Sequence, residues 1–351
     1  MSLPPAEIPQ GALRFNTDSQ RLEFYAQGEW WKVSTDTPNL ATAGDESPGT
    51  RALFAGGYSP SPVLYSRTTD VINIATTGNG KNFGDLTDDV VAGGGVGSRT
   101  RALFCGGYTP AGGRAQIDFH TFSTEGTAAD FGDLNNGASA RKAAVGNQTR
   151  GLWAGGDSSQ AQIDVVAIAT LGQIAADFGD LTVGRSRFAA AGNVTRGIFV
   201  GGFTPSPNTY HNVIDYVHIS SSGSAMDFGD LLVGKSWTSA AANPTRMLIG
   251  GGYSHPLAVS EMDYLTIASK GNATFFGDLN KVVDTGTYAN SGAASATRGV
   301  FNTGLFTNPT ATYHDTIYYH EIATLGKAAD FGDLQEPNYG CKTCSNGHGG
   351  L

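Results

Sequence analysis

The tetrapeptide Phe-Gly-Asp-Leu occurs six times, beginning at Phe83, Phe131, Phe178, Phe228, Phe276 and Phe331, at intervals of 48, 47, 50, 48 and 55 residues. A second phrase keeps step with it: Thr-Arg, four mostly apolar residues, then Gly-Gly. Its arginines are Arg51, Arg101, Arg150, Arg196, Arg246 and Arg298, and the last copy carries Thr303-Gly304 in place of the double glycine. A third phrase lies between them and places Asp70, Asp118, Asp164, Asp215 and Asp263 at the head of an alternating apolar stretch, with Tyr318 standing there in the sixth copy. A chain built this way stacks one supersecondary unit against the next, because a single unit cannot bury its own apolar faces.

Each unit reads as four short strands. The first is small and apolar, as in Ala189-Ala190-Ala191, Ala240-Ala241-Ala242 and Gly93-Gly94-Gly95. The second is the Thr-Arg segment, such as Gly197-Ile198-Phe199-Val200, ended by Gly201-Gly202. The third alternates, with Ile214, Tyr216 and His218 on one side and Asp215, Val217 and Ile219 on the other. The fourth closes at Phe-Gly-Asp-Leu. No stretch of 11 to 18 residues holds a helical period, and a parallel β-helix has a much shorter repeat. The expected fold is all-β: a six-bladed β-propeller, with the small first strands crowded at the axis and a closed ring burying every blade face. The expected organisation is a three-stranded β module over residues 1–36, the propeller over 37–335 and a Gly/Cys-rich tail over 336–351.

Composition removes other classes. Only 15% of residues are charged, against roughly 25% in an ordinary domain. Of those charges, 31 are acidic and 22 basic, for a net charge of -9, which argues against nucleic acid as a main partner. The chain is 40% hydrophobic, too apolar for disorder. No apolar run is long enough to span a membrane, and MSLPPAEIPQ does not read as a signal peptide.

The Gly-Gly after the second strand, and the aromatic that often follows it (Tyr58, Tyr108, Phe203 and Tyr253), resemble kelch-like β-propellers over about Leu40 to Leu334. The third copy has Asp157 at the aromatic position, and the usual kelch tryptophan is missing. The fuller wording, Thr-Arg-x-x-x-x-Gly-Gly with Phe-Gly-Asp-Leu, is similar to propeller proteins of marine bacteriophages, cyanophages especially. The N-terminal segment adds to the likeness. Gly11-Ala12-Leu13-Arg14-Phe15-Asn16, then Leu22-Glu23-Phe24-Tyr25, then Gly28-Glu29-Trp30-Trp31 read as a meander. They resemble a short module of phage tail and fibre proteins. About 25 residues make no sufficient core alone, so Leu13, Phe15, Leu22, Phe24, Trp30 and Trp31 need a further surface to cover them.

What the resemblance implies is a structural protein of a phage virion, a tail, neck or fibre component rather than an enzyme. It would be located in the virion as a homo-oligomer, joined to other virion proteins through residues 1–36 and attached to the particle or to host surface glycans. The rival readings are a propeller enzyme acting on carbohydrate, a glycosidase or an oxidase, and a cellular kelch-type interaction module.

Candidate chemistry is sparse. The Phe-Gly-Asp-Leu aspartates (Asp85, Asp133, Asp180, Asp230, Asp278 and Asp333) recur in every unit and so serve the repeat. They are expected to accept backbone N–H bonds in a turn or to pair with the six repeated arginines. The same structural role is expected of the strand-three aspartates. No Gly-x-Ser-x-Gly, P-loop or His-Glu-x-x-His occurs. Cys341, Cys344 and His348 form Cys-x2-Cys-x3-His and offer thiolate and imidazole ligands to zinc or iron. A Cys341–Cys344 disulfide and a plain flexible tail are the alternatives, and no other cofactor is expected. The loops between strands two and three vary most among the units. They carry Tyr65, Tyr210 and Tyr313 among Ser, Thr and Asn, which suits sugar binding on a rigid scaffold.

Overall fold

The structure, a computed structural model, describes residues 9, 11–16, 21–32, 49–60, 64–135, 137–279, 287–288, 291–306 and 312–347. The chain divides into two compact units, Met1–Ser47 and Pro48–Leu351. In the first, Leu13–Asn16, Arg21–Ala26 and Glu29–Lys32 form an antiparallel meander in chain order. Gln27 and Gly28 turn the second hairpin with φ of 54° and 87°. Arg14 pairs with Glu23 at 2.8 Å and lies over the Trp30 ring at 4.1 Å, while Leu13 and Phe15 are exposed.

The second unit is all-β, and six of its sheets repeat one four-stranded antiparallel pattern. In sheet four, Ala189–Gly192 pairs with Arg196–Val200, which pairs with Val213–His218, which pairs with Met226–Asp230. The strands follow the repeat phrases: small residues, Thr-Arg, the aspartate strand, Phe-Gly-Asp. Sheet one departs from chain order, because its first strand is Lys342–Ser345, paired with Arg51–Ser59. The residues read as a tail therefore contain a strand, and the last segment of the chain completes the first sheet.

Each Phe-Gly-Asp phrase ends the fourth strand of its sheet, and its phenylalanine is buried in all six copies. The register slips once opposite it. In sheet two, Ile117 faces Gly132 and Asp118 faces Asp130, so Phe131 is the extra residue of a bulge and turns into the apolar layer. The glycine that follows faces the neighbouring sheet. Gly84 has φ of 148°, and a Cβ there would lie 2.0 Å from the Gly126 carbonyl oxygen. That close approach carries hydrogen bonds: Gly126 N to Phe83 O at 2.8 Å and Ala128 N to Asp85 O at 2.7 Å. The outer strand thus has its free edge covered by the next sheet.

The repeated arginines make a second seam. Arg101 donates to Ile168 O at 2.8 Å, Arg196 to Ile267 O at 2.7 Å, and Arg246 to Ala323 O at 2.9 Å, each reaching the following sheet. Arg196, Arg246 and Arg298 also lie over Tyr216, Tyr264 and Tyr319. These contacts correct the expected pairing with the Phe-Gly-Asp-Leu aspartates, since carbonyls at loop ends satisfy the guanidinium and leave those aspartates at the surface.

Both seams run from sheet six back to sheet one: Gly80 N bonds Asp333 O at 2.7 Å, and Arg298 bonds Ala75 O at 2.9 Å. The first strands neighbour one another in the same cyclic order. Six apolar clusters follow it too, each shared by two consecutive sheets, and one of them joins Ala293, Val300 and Ile317 to Ala52, Phe54 and Ile72. Small residues in the first strands are obligatory at this spacing. A Cβ on Gly95 would sit 2.5 Å from Thr343 O.

Two departures from the repeat are buried histidines. His120 and His320 occupy the position filled by Ile72, Val166, Val217 and Leu265 in the other sheets. Each meets two phenylalanine edges, and burial lowers both imidazoles to about 4. Their folded values lie below the ordinary 6.5, so between pH 6.5 and about 4 the unfolded chain binds more protons. Stability is whole above that window and falls as pH drops through it. The expected loss is of the order of 3 kcal/mol per histidine at the acid end. Melting curves at pH 7 and pH 4.5 check this: His120→Val with His320→Val should narrow the gap between them, and an unchanged gap excludes it.

Candidate functional site at the mouth of the central channel

The six first strands line a cavity of about 140 Å³. Its mouth lies at the end where each first strand begins. The second strands end there, so the variable loops between strands two and three surround it. Several of these loops are hairpins: Phe203–Pro205 pairs with Asn208–Tyr210, and Tyr253–Ser254 with Leu257–Ala258.

The rim is a belt of backbone. Two residues before the first strands stand Ala92, Arg141, Arg187, Trp237 and Gly340, with φ of 59°, 58°, 59°, 53° and 67°. The equivalent position of the sixth repeat lies outside the described residues. Four of the belt amides donate to the carbonyl of the preceding repeat: Ala92 to Gly340 at 2.8 Å, Arg141 to Ala92 at 2.7 Å, Arg187 to Arg141 at 3.2 Å and Trp237 to Arg187 at 2.6 Å. Left-handed backbone is free for glycine and costs other residues about 1 kcal/mol or more. The belt geometry thus belongs to the fold, while the side chains on it vary.

Those side chains converge. The Arg141 and Arg187 guanidiniums flank one indole, 5.6 and 5.3 Å from the Trp237 ring. Arg141 also lies 4.9 Å over Tyr108 and pairs with Asp157 at 2.7 Å. Asp157 is the residue that replaces the repeated aromatic after Gly-Gly in the third copy. Arg187 lies 4.9 Å over Phe203, and among the described residues no carboxylate pairs with it. Burial, with Arg141 alongside, pushes its guanidinium below the ordinary range. From Phe203 the aromatic wall continues to Tyr210 at 5.1 Å, and from Tyr210 to Tyr253 at 5.7 Å and His255 at 6.2 Å.

Of the tyrosines singled out from the sequence, Tyr210 joins this wall. Tyr65 and Tyr313 meet elsewhere on the same face, both against Tyr58 at 5.5 and 6.2 Å, with Tyr339 completing the group. All are half-buried. Arg141, Arg187 and Trp237 were missed. Their signal was positional: Arg187 and Trp237 stand nine residues after Phe178 and Phe228, where Ala92 and Gly340 stand after Phe83 and Phe331.

The strand-three aspartates are buried in ion pairs below the mouth. Asp118 meets Arg114 at 2.7 Å, Asp215 meets Arg185 at 2.7 Å and Asp263 meets Lys235 at 3.0 Å. Asp70 accepts from Gln335 instead, at 2.7 Å. Cys341 and Cys344 belong to different apolar clusters, on the two faces of the closing strand. Burial pushes the Cys341 thiol up to about 12 and Cys344 well above its ordinary value. Both thiols are free and buried. His348 lies outside the described residues. Among those described, no three His, Cys, Asp or Glu side chains form a cation site.

No protein-family model matches the chain, and no curated protein matches it.

Proposed function

We propose that Pro48–Leu351 is a six-bladed β-propeller and that the chain is a non-enzymatic component of a phage virion, in its tail, neck or fibre. Its loop face attaches to host surface glycans, and the N-terminal sheet joins other virion proteins. The cyclic order of the six repeated sheets supports the propeller. The observation that carries the binding reading is the pair of aromatic groups on one face, Tyr58–Tyr65–Tyr313–Tyr339 and Phe203–Tyr210–Tyr253. The tyrosines of these groups are half-buried and held by neighbours, and offer flat apolar surface to a pyranose at little entropic cost. The virion reading rests on the likeness of the repeat wording and of residues 11–33 to phage proteins. The exposed Leu13 and Phe15 supply apolar surface for a partner.

Purified protein should be retained on isolated bacterial surface polysaccharide and should compete with particles for adsorption. Tyr210→Ala and Tyr58→Ala should each weaken retention about tenfold, the equivalent of ~1.4 kcal/mol. Retention unchanged in both variants sinks the reading.

A further inference from the structure

We propose that the channel mouth binds the oxyanion of an acidic sugar, a carboxylate or a sulfate ester, with Arg187 receiving the anion and the Tyr210–Tyr253 wall taking the ring. The inference rests on the loop-face reading above and names its ligand class.

The first support is charge. The chain carries a net charge of -9, yet two guanidiniums share this rim with one carboxylate, Asp157, which Arg141 already holds at 2.7 Å. Arg187 forms no ion pair within 4 Å among the described residues, and Asp157 acts on it only from longer range. The Nε atoms of Arg141 and Arg187 are buried without a hydrogen-bond partner. An arginine so placed favours a planar or tetrahedral oxyanion.

The second support is the backbone. The belt position needs left-handed φ, and Gly340 shows that glycine serves there. Arginine and tryptophan occupy it in consecutive repeats, against their own preference. The strained φ belongs to the fold, since Ala92 shares it; the convergence of three large side chains from consecutive repeats on one point is what marks a site.

The third support is size. The recess between Ala92, Arg141, Arg187, Trp237 and Gly340 encloses about 70 Å³. That is room for a few waters or one oxyanion group, and too little for a sugar ring. The ring must therefore lie outside, and the surface available there is Tyr210 with Tyr253, backed by Phe203, which is buried beneath Arg187.

Trp237 is a built-in reporter, half-exposed at the mouth, whereas Trp153 is fully buried. Tryptophan fluorescence is titrated with methyl glucuronide, galactose sulfate, neutral methyl glucoside and inorganic sulfate, with Trp237→Phe as the control that removes the signal. The expected result is binding of one or both acidic sugars at least tenfold tighter than the neutral one, weakened by salt. The carboxylate and sulfate arms tell which group is preferred. Arg187→Gln should erase the advantage of the acidic sugar over the neutral one. Arg187→Gly should do the same without lowering the melting temperature. Equal binding of acidic and neutral sugars, or wild-type behaviour of Arg187→Gln, overturns the proposal while leaving the glycan face standing. A response to inorganic sulfate alone, with no sugar bound, overturns the sugar ligand and the loop-face reading together.

Discussion

Removing residues 336–351 should unfold the Pro48–Leu351 unit at room temperature. The lost segment holds the inner strand of sheet one, with ladder partners Ala52, Leu53, Phe54 and Ala55. Its hydroxyls also tie it to sheet six, Thr343 to Gly292 O at 2.7 Å and Ser345 to Ala294 O at 2.5 Å. Cys341 and Cys344 fill two of the six apolar clusters. At about 1 kcal/mol for each net hydrogen bond and somewhat more for each buried side chain, the loss is roughly 5–10 kcal/mol. A domain has only about 5–15 kcal/mol in total. Urea unfolding followed by circular dichroism measures it. A synthetic peptide of residues 336–351 added in trans should restore part of the transition. A truncated chain with an unchanged midpoint would show that the segment is a tail after all.

Asp215→Ala is the point change expected to cost most. Asp215 and Arg185 are both fully buried, 2.7 Å apart, and Asp215 also accepts from the Thr182 hydroxyl and amide. Burial already works against the Arg185 charge, and Asp215 is what offsets it. Without the carboxylate, the guanidinium keeps only the Val183 and Phe199 carbonyls. An uncompensated buried charge costs about 3–5 kcal/mol. Replacing both partners with apolar residues, Arg185→Met with Asp215→Leu, should recover most of that loss. Chemical denaturation of the single and double variants tests the pair. If the double variant is no better than the single, the destabilisation comes from packing rather than from the stranded charge. Arg187→Gln, two residues away on the half-buried rim, should leave the midpoint nearly unmoved, which separates the buried ion pair from the proposed site.

The Phe-Gly-Asp-Leu phrase was legible as a strand end, and its buried phenylalanine followed from spacing alone. Of the two roles expected of its aspartate, a turn acceptor or an arginine partner, the second is refused, because a repeated acid beside a repeated base invites a pairing that only geometry can decide. Arg196 finds two carbonyls of the next sheet within 2.9 Å, and those oxygens belong to residues 71 and 72 positions further along. The strand-three aspartates were recognised as structural, but their cations were not. Arg185 and Lys235 share one position, seven residues after Phe178 and Phe228, and reach the aspartate across the sheet, whereas Arg114 comes from four residues before its own Asp118, so the cation has no single place in the repeat.

Periodicity determined what each local segment is: four strands per unit, small residues first, a glycine turn second, a bulged phenylalanine last. Local propensity and alternation act within a few residues, so one copy predicts the next. The tertiary structure decided what lies between copies. It set the last segment of the chain beside the first Thr-Arg strand. It also set two arginines and a tryptophan from three repeats on one rim, where a left-handed backbone turns them toward a common point. No local pattern encodes either result, since each depends on contacts between sheets far apart in sequence, such as those of Arg298 and Asp333 with Ala75 and Gly80.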